Sequence, residues 1–272
     1  QLINLHTDHR VTGYAQDADN VTVHLADGGR MSGLALVGAD GLRSAIRAQL
    51  VGDGEPRVSG HTTYRSVIPT EMMPEELRWN AATLWAGPKC HIVHYPLSGW
   101  KVFNLVVTYH SDADEPVAGK PVPRELVRDG FGHIAERPRR IIECADDWRM
   151  WVLCDRDPQE TWIDGRVALL GDAAHPMLQY MAQGACMAME DAVTLAEAMA
   201  AHGGAVDAAF ADYHARRLVR TARVQMSSRA MGDLVYHPAG PEAAVRNAVF
   251  QAKSPTQFHD SLEWLYGWQP GD

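Results

Sequence analysis

The chain has 272 residues, 46 % of them hydrophobic and 22 % charged, which supports a substantial core in one large or two modest domains. A formal net charge of −9 and no long Lys/Arg run argue against nucleic acid as a partner. The four cysteines, Cys90, Cys144, Cys154 and Cys186, form no CxxC pair, and no uncharged apolar run reaches ~18 residues. The expectation is a cytoplasmic protein with reduced thiols, no membrane span and no bound metal.

Residues 10–37 read as β structure. Val21, Val23 and Leu25 alternate with Thr22, His24 and Ala26, the period of a half-buried strand, and Asp27-Gly28-Gly29 is hairpin-turn chemistry. Leu34-Ala35-Leu36-Val37 is apolar on both faces and predicts a central strand. It ends in Gly38-Ala39-Asp40-Gly41, and 42–50 reads as helix, so Asp40 stands at the carboxyl end of a buried strand, where α/β folds place ligands. From 58 to 110 the texture changes. Thr62 to Ile68, Thr83 to Trp85, Cys90 to Tyr95 and Lys101 to Tyr109 read as successive strands without helices between them, an antiparallel sheet. Residues 121–144 read as one or two short helices. Trp162 to Leu170 returns to a buried strand ending in Gly171-Asp172, and helices follow from about Gly184 to His202 and from about Val206 to Asp233. The order predicts an α/β domain, parts 1–57 and 156–203, interrupted by a sheet domain at 58–155 and followed by C-terminal helices at 204–272.

The strongest chemical signal is Arg166-Val-Ala-Leu-Leu-Gly-Asp-Ala-Ala-His-Pro176, then Gln179-Tyr-Met-Ala-Gln-Gly-Ala-Cys-Met-Ala-Met-Glu-Asp191. A buried strand delivers Asp172 to its carboxyl end, and Gly171 lets the backbone approach a ligand closely. A carboxylate there can accept hydrogen bonds from ligand hydroxyls. Gly184 opens a helix whose free N–H groups and positive dipole end favour an anion or an electron-rich carbonyl. The same residues also fit an Asp that caps its own loop. In Lys89-Cys-His-Ile-Val-His-Tyr-Pro96, a strand places His91, Val93 and Tyr95 on one face and Ile92 and His94 on the other. Neighbours point apart, so Cys90, His91 and His94 make a poor metal set.

Gly171 to Pro176, the Gln183-Gly184 helix start and Glu190-Asp191 resemble the second FAD signature of the single-component (class A) flavoprotein aromatic hydroxylases. Leu36-Val-Gly-Ala-Asp-Gly-Leu-Arg-Ser44 resembles that family's Asp-Gly motif, which helps hold both FAD and the nicotinamide dinucleotide. The two motifs stand in the family's order, and the resemblance covers nearly the whole chain. It implies an α/β fold of the p-hydroxybenzoate hydroxylase type: a Rossmann-like FAD-binding domain with an inserted α+β substrate sheet. It implies FAD as cofactor, NADH or NADPH as co-substrate, oxygen and an aromatic hydroxy acid as substrates, and a possible homodimer. By the resemblance, Asp172 binds the ribityl chain, and Gln183, Gly184, Ala185 and Cys186 meet the pyrimidine edge of the isoalloxazine. Gly171 and Pro176 belong to the same flavin loop, and Asp40 lies near the diphosphate and ribose. The family's GxGxxG turn does not occur at the start of this sequence. The expectation is therefore the carboxy-terminal two-thirds of a hydroxylase, an incomplete FAD-binding domain and poor FAD binding by this chain alone.

Within the family, Tyr64 to Pro69, Trp79 to Pro96 and Gln179 to Cys186 look most like the 3-hydroxybenzoate 6-hydroxylases, which form gentisate using NADH and oxygen. Salicylate 1-hydroxylase is the near neighbour. In that frame His91 assists removal of the phenol proton, since His titrates near neutral pH. Tyr95 and Gln179 position the ring and its substituents. His175 shapes the loop, Arg65 is a candidate for the substrate carboxylate, and Arg216, Arg217, Arg220 and Arg223 read as a solvated helix face. The rival readings are another flavin chemistry on the same fold and a fragment that binds no FAD.

Overall fold

A computed structural model describes residues 2–271, and the chain divides into two units. Elements are numbered along the whole chain. The first unit holds the residues up to Pro56, Asp155–Ser228 and those from Leu262. It opens with an antiparallel meander of β1 (Val11–Gln16), β2 (Val21–Leu25) and β3 (Arg30–Gly33). The β2–β3 turn closes as its composition predicts: Gly28 takes a φ of 87° and the Asp27 carboxylate accepts from the Gly29 N–H at 2.8 Å.

A second small sheet runs β11 (Ile163–Asp164), β12 (Val167–Leu169), β4 (Leu36–Gly38). β4 and β12 are parallel, with Val37 opposite Ala168 and Gly38 opposite Leu169. Helix α1 (Ala45–Leu50) follows β4; α4 (Gly184–Ala201) and α5 (Val206–Met231) follow β12. β12 is fully buried and packs in one core with Ile46, Ala198, Phe210 and Tyr213. The Tyr213 hydroxyl donates to the Leu169 carbonyl at 3.0 Å, tying α5 to that strand. The other strand differs from expectation. Among the described residues β4 lies at the sheet edge, and Leu34 and Val37 are 71 % and 39 % exposed. An apolar run marks a face that can be covered, not a central position. The short helix α8 (Glu263–Tyr266) also belongs to this unit, with Leu265 buried.

The second unit holds Arg57–Cys154 and Arg229–Ser261. Its six-stranded sheet has the order β6 (Thr83–Gly87), β7 (Cys90–Leu97), β8 (Val102–His110), β5 (Arg57–Pro69), β10 (Trp148–Asp155), β9 (Lys120–Val122). Helices α2 (Arg124–Gly130) and α3 (Glu136–Glu143) contribute Val127, Ile141 and Ile142, and Phe131 just after α2 joins them, in a core with Tyr64, Ile92, Phe103 and Leu105. A π-helical turn at Gly232–Tyr236, α6 (Gly240–Ala252) and α7 (Pro255–Asp260) complete it. The strands expected between 58 and 110 are present. β10 was not expected, and its first residue, Trp148, is buried at 1 % exposure. Residues 204–272 are not one helical region of their own. They divide between the two units, α5 passing from one to the other after Ser228.

His94 is a weak point of the sheet. It is 1 % exposed, its ring lies among Trp79, Trp85 and Phe103, and neither ring nitrogen has a partner among the described residues. Burial lowers its pKa from 6.5 to about 4. Below the unfolded value the unfolded chain takes up a proton that the fold refuses. Stability therefore falls as pH drops from about 6.5 towards 4, by up to ~3 kcal/mol. His94→Leu should raise stability at pH 7 by ~1–2 kcal/mol, because two unsatisfied buried polar atoms disappear. It should also flatten the acid slope in urea titrations. An unchanged slope would show that the ring is solvated.

Candidate functional site

Because β4 and β12 are parallel neighbours, the chain leaves both at the same end of the sheet. Asp40 follows one strand and Asp172 the other, the position at which open α/β sheets bind ligands. Asp40 is exposed, but its carboxylate is already engaged. It accepts from the Ser44 hydroxyl at 2.5 Å and from the Ala45 and Ile46 N–H groups at 2.8 and 3.3 Å. With Ser44 as N-cap, it organises the first turn of α1. It also lines a cleft of about 640 Å³ with Arg10, Thr12 and Arg43, so two cations face the space beside it.

The loop after β12 is held from beneath. Gly171 has a φ of 62° and its N–H donates to Asp191 Oδ2 at 2.9 Å. A Cβ there would stand 3.1 Å from that of Ala188. The glycine is thus required by the close approach of α4. The Arg47 guanidinium, fully buried, donates to the carbonyls of Ala173 and Ala174 at 2.9 and 2.6 Å and pairs with Asp53 at 2.7 Å. Burial alone would raise the Asp53 pKa, but Arg47 and Arg156 outweigh it and hold the carboxyl below its ordinary value. Pro176 is buried, and its carbonyl accepts from the Gln225 amide at 3.1 Å. Asp172 alone in this loop turns outward to solvent.

Under the loop lies a buried ionic network. Asp191 accepts from His175 Nε2 at 2.6 Å and from Arg217 Nε at 2.7 Å. Arg217 also pairs with Glu190 at 2.6 Å, and Arg220 grips the same Glu190 through both carboxylate oxygens at 2.7 Å. Burial opposes ionisation of Asp191, yet His175, Arg217 and the Gly171 N–H together keep its pKa below the usual carboxylate value. The expected solvated arginine face is therefore wrong for Arg217, which is 1 % exposed, and for Arg220, which also donates to the carbonyls of Trp264 and Leu265. Arg223 stacks over Trp264 at 3.8 Å. The expected structural role of His175 fits its burial and its bond to Asp191.

Gln179 begins a 3-10 turn, Gln179–Met181, and Ala182 then takes a left-handed conformation at a φ of 53°. A residue with a Cβ is strained there, and such strain collects where a ligand or a switch must be served. Gln183 follows, buried, and Gly184 starts α4 with no side-chain cap and no acidic residue in the first turn. The N–H groups of Gly184, Ala185 and Cys186 are thus the free donors of an 18-residue helix. A Cβ on Gly184 would stand 3.6 Å from Asp172 Oδ1, so the outward carboxylate sits beside this helix start. A hydroxylated chain with an electron-rich carbonyl ring fits that pair: the carboxylate accepts from hydroxyls and the helix start donates to the carbonyl edge.

His91 and Tyr95 belong to the sheet unit, on β7. His91 lines a mainly apolar cavity of about 440 Å³ with Trp85, Ile92, His133 and Arg137. Its Nδ1 is 2.8 Å from Nε2 of His237. Burial, then the nearby His61 and His110, lower its pKa to about 3. The expectation that His91 titrates near neutral pH is corrected: it is a neutral imidazole there. Tyr95 is half-buried on the same strand and does not line that cavity. Arg65, the candidate for a substrate carboxylate, has its guanidinium 5.9 Å from the Trp151 ring centre.

The sequence reading missed Arg47, Arg156 and Gln225. Glu190-Asp191 on an otherwise apolar helix was the one available sign of buried cationic partners.

Residues 2–228 match the family model described as an FAD binding domain. The chain belongs to the FAD-dependent aromatic hydroxylases. It is 53 % identical over 98 % of its length to 3-hydroxybenzoate 6-hydroxylase 1 of Aquipseudomonas alcaligenes, and spans 67 % of that protein. It is 47 % identical over 98 % of its length to 3-hydroxybenzoate 6-hydroxylase 2 of the same organism, and spans 82 % of it. Among solved structures, a salicylate hydroxylase substrate complex superposes with a TM-score of 0.81 at 24 % identity, covering 97 % of this chain and 68 % of that one, a likeness of fold. The chain therefore shares the α/β FAD-binding architecture of flavoprotein monooxygenases, and FAD is the cofactor of its family. No helix among the described residues is long and apolar enough to cross a membrane.

Proposed function

We propose that this protein hydroxylates a phenolic acid, 3-hydroxybenzoate to gentisate, with FAD as cofactor, NADH or NADPH as reductant and oxygen as co-substrate. The observation that carries the reading is the pairing of the outward Asp172 carboxylate with the uncapped start of α4. The 53 % identity to a 3-hydroxybenzoate 6-hydroxylase supports the choice of substrate over salicylate. FAD, when bound, supplies the redox chemistry that makes oxygen reactive towards the ring. The chain's residues bind and orient. Asp172 accepts hydrogen bonds from the ribityl hydroxyls. The N–H groups of Gly184, Ala185 and Cys186, with Gln183 behind them, favour negative charge at the pyrimidine edge. Gly171 and Pro176 fix the loop that carries Asp172. Asp40, with Arg10 and Arg43 in the same cleft, serves the diphosphate and ribose.

His91 shares the phenol proton through a hydrogen bond, and Tyr95 and Gln179 orient the ring. Because His91 is held neutral, the pH profile of hydroxylation should carry no ionisation near 6.5 from this residue. His91→Ala should slow hydroxylation by about 10²-fold and raise the hydrogen peroxide formed per NADH. An unaltered product-to-NADH ratio removes His91 from the mechanism.

Asp172→Ala should weaken FAD binding by roughly 10- to 100-fold in a flavin-fluorescence titration, the loss of hydrogen bonds to a charged acceptor. Unchanged affinity would mean that the carboxylate does not face the cofactor. Chromatography of products from 3-hydroxybenzoate and from salicylate, each with NADH and FAD, decides the substrate: gentisate from the first is expected, and catechol from the second favours salicylate hydroxylation. The homodimer implied by the family is checked by sedimentation.

A further inference from the structure

Four histidines gather on the sheet unit, and three of them are absent from the proposed hydroxylation. His61 on β5 and His110 on β8 are register partners across the sheet, and their rings stack 3.9 Å apart at 16°. His237 ends the π-helical turn. Its carbonyl accepts from the Lys89 N–H at 3.0 Å, and the Lys89 carbonyl accepts from the His110 N–H at 2.9 Å. The backbone therefore pins His237 beside the start of β7 and the end of β8. His237 Nδ1 is 2.7 Å from His110 Nε2, and one nitrogen each of His61, His110 and His237 lie within 4.8 Å of one another. His61 and His237 are buried, while His110 keeps partial access to solvent.

We propose that His61, His110 and His237 form a binding site for one divalent transition-metal ion, Zn²⁺ or an ion of similar preference such as Co²⁺, with a fourth position left to water. Three neutral imidazoles without thiolate are the donor set such ions take. Metal–nitrogen bonds of about 2.0–2.1 Å place ligand nitrogens ~3.3 Å apart in a tetrahedron, so the His110–His237 pair must open by ~0.6 Å. The ion replaces the proton that bridges that pair, and the stacked rings of His61 and His110 tilt to converge on it. The 2.8 Å contact from His237 Nε2 to His91 Nδ1 then becomes the outer hydrogen bond that fixes the tautomer of a ligating histidine. His91 is an acceptor in that arrangement and not a ligand. Burial keeps the His110 pKa below its ordinary value, with Asp233 and Asp112 opposing and Lys89 assisting, so the ring offers a neutral nitrogen. The site departs from the expectation of no metal, which weighed only residues adjacent in sequence. Its ligands come from three separate segments.

The test uses the purified chain, freed of metal by a chelator and titrated with Co²⁺. Visible d–d absorption should saturate at a single ion and be displaced by Zn²⁺. His61→Ala and His110→Ala should each weaken binding roughly tenfold or more. A His6→Ala, His9→Ala double variant should bind normally; it is the needed control because those two rings sit 5.5 Å apart in the exposed amino-terminal stretch. Should either ligand variant lose its far-UV circular dichroism, the unsubstituted chain still decides. Co²⁺ should then broaden the ring NMR signals of His61, His110 and His237 before any others. No absorption band, a band that survives both ligand substitutions, or broadening confined to His6 and His9 overturns the site.

Discussion

Arg217→Met should destabilise the fold by about 3–5 kcal/mol, because it strands Glu190 and Asp191 as buried carboxylates without their shared cation. Arg220 still holds Glu190, so the larger part of the loss falls on Asp191. Asp191 carries the Gly171 N–H and His175, and both sit in the loop that ends in Pro176. FAD affinity should therefore drop together with stability. Arg217→Lys should rescue little, since a single ammonium cannot reproduce the fork that reaches Glu190 and Asp191 at once. Urea unfolding and a flavin titration on the same three proteins check this. A loss below about 1 kcal/mol for the Met variant would mean that the network is hydrated in solution.

Arg47→Met is the second large effect. The substitution removes the donor to two carbonyls, Ala173 and Ala174, and one of the two cations on Asp53. Arg156 remains 3.1 Å from Asp53, so the expected destabilisation is about 2–4 kcal/mol and not the full cost of an orphaned charge. The carbonyls belong to the residues directly after Asp172. Their release should let that carboxylate wander, so FAD binding should weaken more than the loss of fold explains. Measuring affinity well below the unfolding midpoint separates the two. Affinity equal to that of the unsubstituted chain would show that the loop keeps its shape without Arg47.

Much of the site was legible because it rests on local rules. Apolar runs ending in Gly38-Ala39-Asp40 and in Gly171-Asp172 announced two strand ends, and Gln183-Gly184 before a long Ala-rich stretch announced the start of α4. What could not be read was anything decided by a partner far along the chain. Arg217 and Arg220 look solvated on their own helix and are buried only because Glu190 and Asp191 face them from another. Arg47 and Gln225 carry no sequence mark of the carbonyls they hold. His91 was placed on its strand correctly, but its protonation depends on burial and on histidines from other segments, neither of which a spacing reveals. The strand β10 was missed because Arg149 and a pair of tryptophans blur its alternation. The capping role of Asp40 was within reach: Ser44 four residues later is the partner its carboxylate takes.

The outward flank of β4 has a practical consequence. A short strand with Val37 39 % exposed, Leu34 exposed just before it and no neighbour on one side among the described residues is a template for adding a foreign strand. Concentrated solutions of this polypeptide should grow turbid through that flank first, and a lysine at position 37 is the simplest remedy for anyone who needs it at high concentration.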